Sequence, residues 1–382
     1  MAGAMVPGAI VAVTMPKWGL AMSEGTVVAW HAQEGAVVAA GDELMDIETT
    51  KITNVFESPV AGLLRRRVVA AGATVPVGAL LAVVAEAATP EAEIEAFVAR
   101  FAEQFAVHAA EAEGGAAEPE TIEAGGRRLR YLRLGEGGGE GEGLPIVFVH
   151  GFGGDLNGWL FNQPALAERH PTIALDLPGH GGSEKEVGAG DVAALRAALA
   201  DFLAALGIAE AHLVGHSLGG AAALDLTLAE PGRVRTLTLI AAAALGPEIN
   251  MDFIEGFVAA RRRKELKPIL ALLVHDPAAI GREMVEQVLR YKRLDGATAA
   301  LGAIADAAFA GGVQALRLEH RVGGLKLPLQ VIWGRDDRIV PAAHAEALAG
   351  TVPVHLLSGA GHMVHMEKAA EVNALIAALV ES

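Results

Sequence analysis

The sequence predicts two domains of different class: a small all-β domain made of two similar halves, then a larger α/β domain with a mostly parallel sheet. Three observations carry this expectation. Glycines near the N-terminus recur in register at an offset of 37 residues. Residues 87–120 are dominated by Ala, Glu and Gly. From Thr121 onward, apolar strand-like runs alternate with helical stretches, the pattern of a parallel sheet covered by helices.

In the repeat, EGTVVAWHAQEGAVVAAGDELMDIE (24–48) lies over AGLLRRRVVAAGATVPVGALLAVVA (61–85). Gly25 falls on Gly62, Gly35 on Gly72 and Gly41 on Gly78, while Val38 meets Val75 and Leu44 meets Leu81. Glycine supplies backbone angles that other residues avoid, so recurrence in register predicts the same turns built twice. The halves should be related by an approximate two-fold. Between them, DIETTKITNV places Lys51 on a connection flanked by β-branched, strand-forming runs.

The ordered motifs MPKWGLAMSEGTV, GDELMDIETTKI and FESPVAG resemble the lipoyl domains of 2-oxo-acid-type dehydrogenase complexes, over residues 9–86. The resemblance implies a barrel-sandwich fold with lipoate in amide linkage on Lys51, installed by a lipoate ligase or transferase. Biotin-carrying domains share the architecture but usually flank the lysine with methionines; here the neighbours are Thr50 and Ile52.

Residues 87–120 form the link. Ile94, Phe97, Val98, Phe101 and Phe105 follow helical spacing with glutamates opposite, which predicts an amphipathic helix over 92–110. Its apolar stripe needs a partner: this chain, a sister chain in an oligomer, or another protein. The Ala/Glu/Gly tail beyond it reads as a flexible linker.

In the region 121–382, strands are predicted at Arg128–Leu134, Thr172–Leu175, Ala211–Val214, Val234–Ile240 and Leu329–Trp333. Helices are expected over 192–206 and 218–229, and GEGGGEGEG (135–143) reads as a hairpin leading into LPIVFVHG. The strands from Thr172 onward read as apolar runs, as expected of strands covered on both faces.

LVGHSLGGAAAL (213–224) contains G-x-S-x-G at Gly215, Ser217 and Gly219, after an apolar strand and opening a helix. That context marks a nucleophile elbow, which holds a serine hydroxyl at a helix N-terminus. A neutral serine needs a base, and the base needs an orienting acid. GAGHMVHME offers His362 as base, reaching in from a loop, with His365 as competitor in the next helical turn. VIWGRDDRIVP offers Asp336 or Asp337 at a strand end; Asp176, also at a strand end, precedes the serine. The backbone N–H groups of Leu218 and Phe152 are the expected oxyanion donors, Phe152 following the His150-Gly151 pair.

HGFGG, DLPGHGGS, GHSLGG, GRDDRIVP and GAGHMVHME follow the order seen in α/β-hydrolases, which this region resembles. The resemblance selects Asp337 as the acid and makes the alanine-rich stretch 247–325 a helical cap that selects the acyl group and excludes water.

Composition removes other classes. A net charge of −16 argues against nucleic-acid binding, and the run Arg261–Lys264 reads as a solvated helix face. The chain has no cysteine, so disulfides, thiolate metal sites and a cysteine nucleophile are excluded, and no metal site is expected. No apolar run of 18 residues predicts a membrane span; a soluble, cytoplasmic protein is expected.

A lipoyl domain joined to an α/β-hydrolase domain resembles the acetyltransferase components of acetoin dehydrogenase complexes, over nearly the whole chain. That resemblance implies acetyl transfer from lipoyl-Lys51 to coenzyme A. The implied partners are a thiamine-diphosphate-dependent dehydrogenase component and a flavin-dependent dihydrolipoyl dehydrogenase. The H-x-x-x-D-G signature of ordinary lipoyl acyltransferases is absent, since Asp295-Gly296 has Tyr291 at the histidine position. The expected route is therefore an acyl-Ser217 intermediate; the alternative is a thioesterase or carboxylesterase that uses its lipoyl domain for docking.

Overall fold

The computed structural model describes residues 10–16, 22, 24–49, 52–113, 117–135 and 143–382. The chain divides into two compact units, Met1–Ala116 and Ala117–Ser382.

The first unit pairs two four-stranded sheets. One has the order β1 (Val11–Thr14), β8 (Leu80–Ala85), β6 (Gly62–Arg67), β3 (Val37–Val38). The other runs β5 (Ile52–Glu57), β4 (Glu43–Thr49), β2 (Glu24–Trp30), β7 (Thr74–Pro76). Exchanging the halves turns one order into the other, so the repeat is a structural two-fold. Its hydrogen bonds repeat too. Gly35 N–H donates to Leu64 O (2.8 Å) and Gly72 N–H to Val27 O (2.7 Å), the same bond with the halves swapped. Gly35 and Gly72 adopt φ of 85° and 84°, Gly41 and Gly78 of 93° and 84°, where a Cβ is strained. Leu44 and Leu81 are fully buried in the shared core with Val13, Met15, Ile47 and Leu64.

Strands β4 and β5 pair antiparallel, with Thr49 opposite Ile52. Thr50 and Lys51, which lie between, fall outside the described residues.

The amphipathic helix α1 runs Glu91–Glu113, three residues beyond its expected end. Its stripe is covered by its own unit. Ile94 is fully buried with Leu80, Val83 and Ala85, and Phe97, Val98 and Phe101 pack beside them. Arg65, from β6, donates to the carbonyls of Glu86 and Thr89 (both 2.8 Å), clamping the turn that precedes the helix.

The second unit is built on an eight-stranded sheet in the order β16 (Val354–Leu357), β15 (Leu329–Gly334), β14 (Val234–Ile240), β13 (Ala211–His216), β11 (Ile146–Val149), β12 (Thr172–Leu175), β10 (Arg127–Leu134), β9 (Glu120–Ala124). The pairings from β16 to β12 are parallel, and β10 and β9 are antiparallel. The hairpin expected at residues 135–143 does not form. Strand β10 pairs with β12 and β9, so the chain crosses past β12 to reach β11. Glycine-rich composition signals a turn but not which strands it joins; residues 136–142 themselves lie outside the described residues.

Alternation along β11 shows both faces covered. Ile146 and Phe148 enter one core with Val364, Val372 and Ile376, whereas Val147 and Val149 enter the other with Leu195, Leu199 and Leu218. Between β14 and β15, the stretch expected to form a cap supplies the helices Met251–Ala259, Arg263–Leu270, Arg282–Lys292 and Ala297–Ala308.

Candidate active site

Ser217 follows the last residue of β13 and opens the helix Ser217–Ala229. Its φ is +51°, a left-handed conformation that costs an L-residue on the order of 1–3 kcal/mol and persists only where its surroundings over-determine it. Here they do. A Cβ on Gly219 would stand 2.3 Å from the carbonyl oxygens of both Val149 and His150, and one on Gly215 would stand 2.6 Å from Gly220 Cα. Backbone fills these positions and cannot yield, so glycine is required for the turn to close. A Cβ on Gly151 would sit 2.8 Å from Ser217 Cβ, so the loop after β11 passes directly over the serine. Phe152 on that loop is buried against the rings of Phe257 and Phe309. Leu218 lies in the first helical turn, where N–H groups have no acceptor within the helix.

The candidate acid and base follow β15 and β16, beyond the intervening β14. His362, in the loop after β16, donates Nδ1–H to Asp337 Oδ2 at 2.8 Å, and both side chains are buried. Asp337 Oδ1 accepts the N–H groups of Ile339 (2.8 Å) and Val340 (3.0 Å), so the carboxylate is fixed at both oxygens. With Nδ1 carrying the proton, Nε2 is the free, basic nitrogen of His362. Asp336, the alternative acid, points elsewhere and pairs with the exposed His275 at 2.9 Å.

The serine and histidine strands are tied by the residue before the nucleophile. His216 donates Nε2–H to the carbonyl of His362 (3.0 Å), and their rings lie 4.7 Å apart. Sequence reasoning passed over this support, because the variable position in G-x-S-x-G carries no expectation of its own. The competitor His365 is enclosed between Trp159 and His216, with ring centroids at 4.7 and 4.5 Å. Burial, then the neighbouring His362, drives its pKa down to about 3, so it stays neutral.

His150 and Asp176 hold the scaffold. His150 is buried, donates Nδ1–H to Gly151 O (2.8 Å) and accepts Leu177 N–H at Nε2 (3.0 Å). Asp176 accepts from Leu156 N–H and Gly182 N–H (both 2.7 Å) and from Arg130 Nε (2.6 Å). A narrow cavity beside Leu218 is lined by Ala243, Ala244, Phe309, Gln314 and Leu316. Tyr291 donates its hydroxyl to Gly179 O (2.6 Å), and Gly296 caps the helix Ala297–Ala308 with φ +77°. The Asp295-Gly296 pair is thus a helix start.

These features place a strained serine at the head of a helix and tie it, through His216, to a buried imidazole–carboxylate pair. Comparisons with known proteins bear on the family of the two units. Residues 145–369 match the family model of the alpha/beta hydrolase fold, and residues 11–84 match that of biotin-requiring enzymes. Among solved structures, a meta-cleavage product hydrolase from Pseudomonas fluorescens superposes with a TM-score of 0.62 at 20% identity, covering 69% of this chain and 97% of that one. That likeness is one of fold. The chain is 49% identical to the dihydrolipoyllysine-residue acetyltransferase component of the acetoin cleaving system of Pseudomonas putida, covering 94% of this chain and 96% of the relative. It is 44% identical to the Cupriavidus necator protein of the same description, with 96% of each covered. With both family models matched and near full-length likeness at this identity, the chain belongs to the family of dihydrolipoyllysine-residue acetyltransferase components of acetoin cleaving systems.

Proposed function

We propose that this protein moves an acetyl group from a lipoyl arm on Lys51 to coenzyme A by way of an acetyl-Ser217 intermediate. The observation that supports it most directly is the buried Asp337–His362 hydrogen bond at the sheet's carboxyl edge, joined through His216 to a strained Ser217. The paired β4 and β5, which close on Thr49 and Ile52, suit a lysine carried on a tight connection. Bound there in amide linkage and in its reduced, dithiol form, lipoate would supply a thiol that carries an acyl group as a thioester.

The chain's own residues perform two displacements. His362 Nε2 takes the Ser217 hydroxyl proton as Oγ bonds to the thioester carbonyl carbon, and the Phe152 and Leu218 N–H groups receive the negative oxygen. His362 then returns that proton to the departing sulfur as the carbon–sulfur bond breaks. In the second displacement His362 takes the thiol proton of coenzyme A, whose sulfur bonds to the acetyl carbon. Ser217 Oγ leaves and recovers the proton from His362. Asp337 holds the imidazole in one tautomer throughout and stabilises its charged form. Each oxyanion donor is worth about 2.7–4 kcal/mol of barrier.

As a component of an acetoin cleaving system, the protein works with partner enzymes: on this reading a thiamine-diphosphate-dependent dehydrogenase that loads the carrier and a flavin-dependent dihydrolipoyl dehydrogenase that reoxidises it. We place it in the cytoplasm, where a lipoate ligase or transferase modifies Lys51. The deciding experiment supplies acetylated holo-protein with and without coenzyme A. Acetyl-CoA should form and free acetate should stay minor. Acetate at an equal rate in both arms, with no acetyl-CoA, would make the protein a hydrolase.

A further inference from the structure

One short segment of the cap, Ala271–His275, touches both loops that carry the proton-handling pair. On the acid side Arg338, next to Asp337, donates Nη2–H to the carbonyls of Ala271 and Val274 (2.6 Å to the latter). On the base side Met363, next to His362, donates its N–H to Leu273 O at 3.0 Å. The Glu367 carboxylate joins the two: one oxygen accepts His275 N–H and the other Gly361 N–H, each at 2.7 Å. Gly361 has no room for a side chain, since a Cβ there would stand 2.9 Å from Leu273 O and from Val274 C. The cap backbone is thus pressed onto the residue before His362 and gripped from the residue after Asp337.

We propose that Glu367 and Arg338 are positioning residues: they use the cap segment 271–275 as a common brace that fixes His362 against Asp337 and Ser217. Neither side chain reacts. Glu367 acts on His362 through the Gly361 amide, and Arg338 acts on Asp337 through the loop both occupy. The cap then has two duties, enclosing the acyl group and setting the geometry of the base, so cap and base move as one body. The inference rests on the Ser217–His362–Asp337 reading above.

Displacing a catalytic group by about 1 Å costs on the order of 10²-fold in rate, which sets the expected size. In the full-length lipoylated protein, Glu367→Ala and Arg338→Ala should each lower kcat for acetyl transfer about 10- to 100-fold. KM for coenzyme A should stay within about twofold, because neither residue touches the acceptor. The acidic limb of the kcat–pH profile should move, and the fraction of acetyl lost as acetate should rise. Glu367→Gln, which keeps one acceptor oxygen, should fall between Ala and the parent. Gly361→Ala should reproduce the pattern by pushing the cap away. Where Glu367→Ala lowers the unfolding midpoint, Glu367→Gln and Arg338→Lys carry the test, since both preserve volume. Folded variants that keep kcat, pH profile and acetate fraction within twofold of the parent overturn the proposal. Ser217→Ala is run beside them: undiminished transfer there overturns the nucleophile assignment itself, a different failure.

Discussion

The two units present their chemistry in opposite ways. In the first, the connection that holds Lys51 is flanked by exposed side chains, Glu48 on one strand and Thr53, Asn54 and Val55 on the other. In the second, Ser217 and its chain neighbours His216, Leu218 and Gly219 are buried, as are the His362 ring and the Asp337 carboxylate. A carrier must travel, so its attachment point needs a stiff hairpin and little else around it. A nucleophile must be aimed, so its turn is strained and held by backbone contacts from three strands. One fold invests in reach and the other in preorganisation.

This contrast predicts that the two functions fail separately. The largest effect belongs to Lys51→Arg, which removes the proposed attachment amine and should take carrier-dependent transfer to zero. Free acetyl-dihydrolipoamide should still be used at the parental rate, measured as acetyl-CoA formed. Loss of both activities would mean that Lys51 also serves the second unit. Next comes Ser217→Ala, expected to cost up to about 10⁶-fold with either donor, while intact mass still shows full lipoylation. Asp337→Asn follows at about 10⁴-fold, because an amide at the Nδ1 side favours the wrong imidazole tautomer. If Asp336→Asn cost as much and Asp337→Asn little, the acid would be misassigned; the exposed pairing of Asp336 with His275 predicts less than a twofold change.

The units also differ in how much of them the sequence disclosed. The first was legible through its glycines, because a left-handed turn admits few other residues and the same turn was needed twice. The elbow was legible for a related reason: Gly215 and Gly219 face backbone that no side chain could share. The strands β12 and β14 fell on their expected residues, since all of their positions but Arg235 are buried and their apolar residues mark them out from the helices. What stayed hidden was long-range. Nothing local distinguishes a loop that returns along its own strand from one that crosses past β12. Short strands such as β9 and β16 carry few buried side chains and left no periodic signal. The braces of the base lie at His216, Arg338 and Glu367, residues whose meaning comes from partners far along the chain. Choosing between Asp336 and Asp337 needed the family pattern, because adjacent carboxylates look alike until one is seen buried beside an imidazole.

The smallest effect sharpens the comparison through pH, where the two units should respond with opposite sign. In the first, His31 has its pKa raised above 6.5, chiefly by its hydrogen bond to Asp46 (2.9 Å). A raised folded pKa contributes stability below the unfolded value and loses it as pH climbs through the folded one. His31 is solvent-exposed and its ion pair screened, so the contribution is slight. In the second unit His180 and His365 are buried and neutral, each with a pKa lowered to about 3 by burial. Their unfolded forms take up protons below about pH 6.5 and the native forms do not. Stability is therefore full above that pH and declines as pH falls toward 3, by up to about 1.4 kcal/mol per pH unit for each histidine. Hydrogen exchange on the whole chain at pH 7.5 and pH 5, corrected for intrinsic rates, reads each unit by its own amides. Protection in β13 and β14 should drop at pH 5, while that in β2 and β4 should hold or rise slightly. Equal losses in both units would mean that the acid response comes from the carboxylates they share in kind, and that the buried imidazoles of the second unit already bind protons in the native fold.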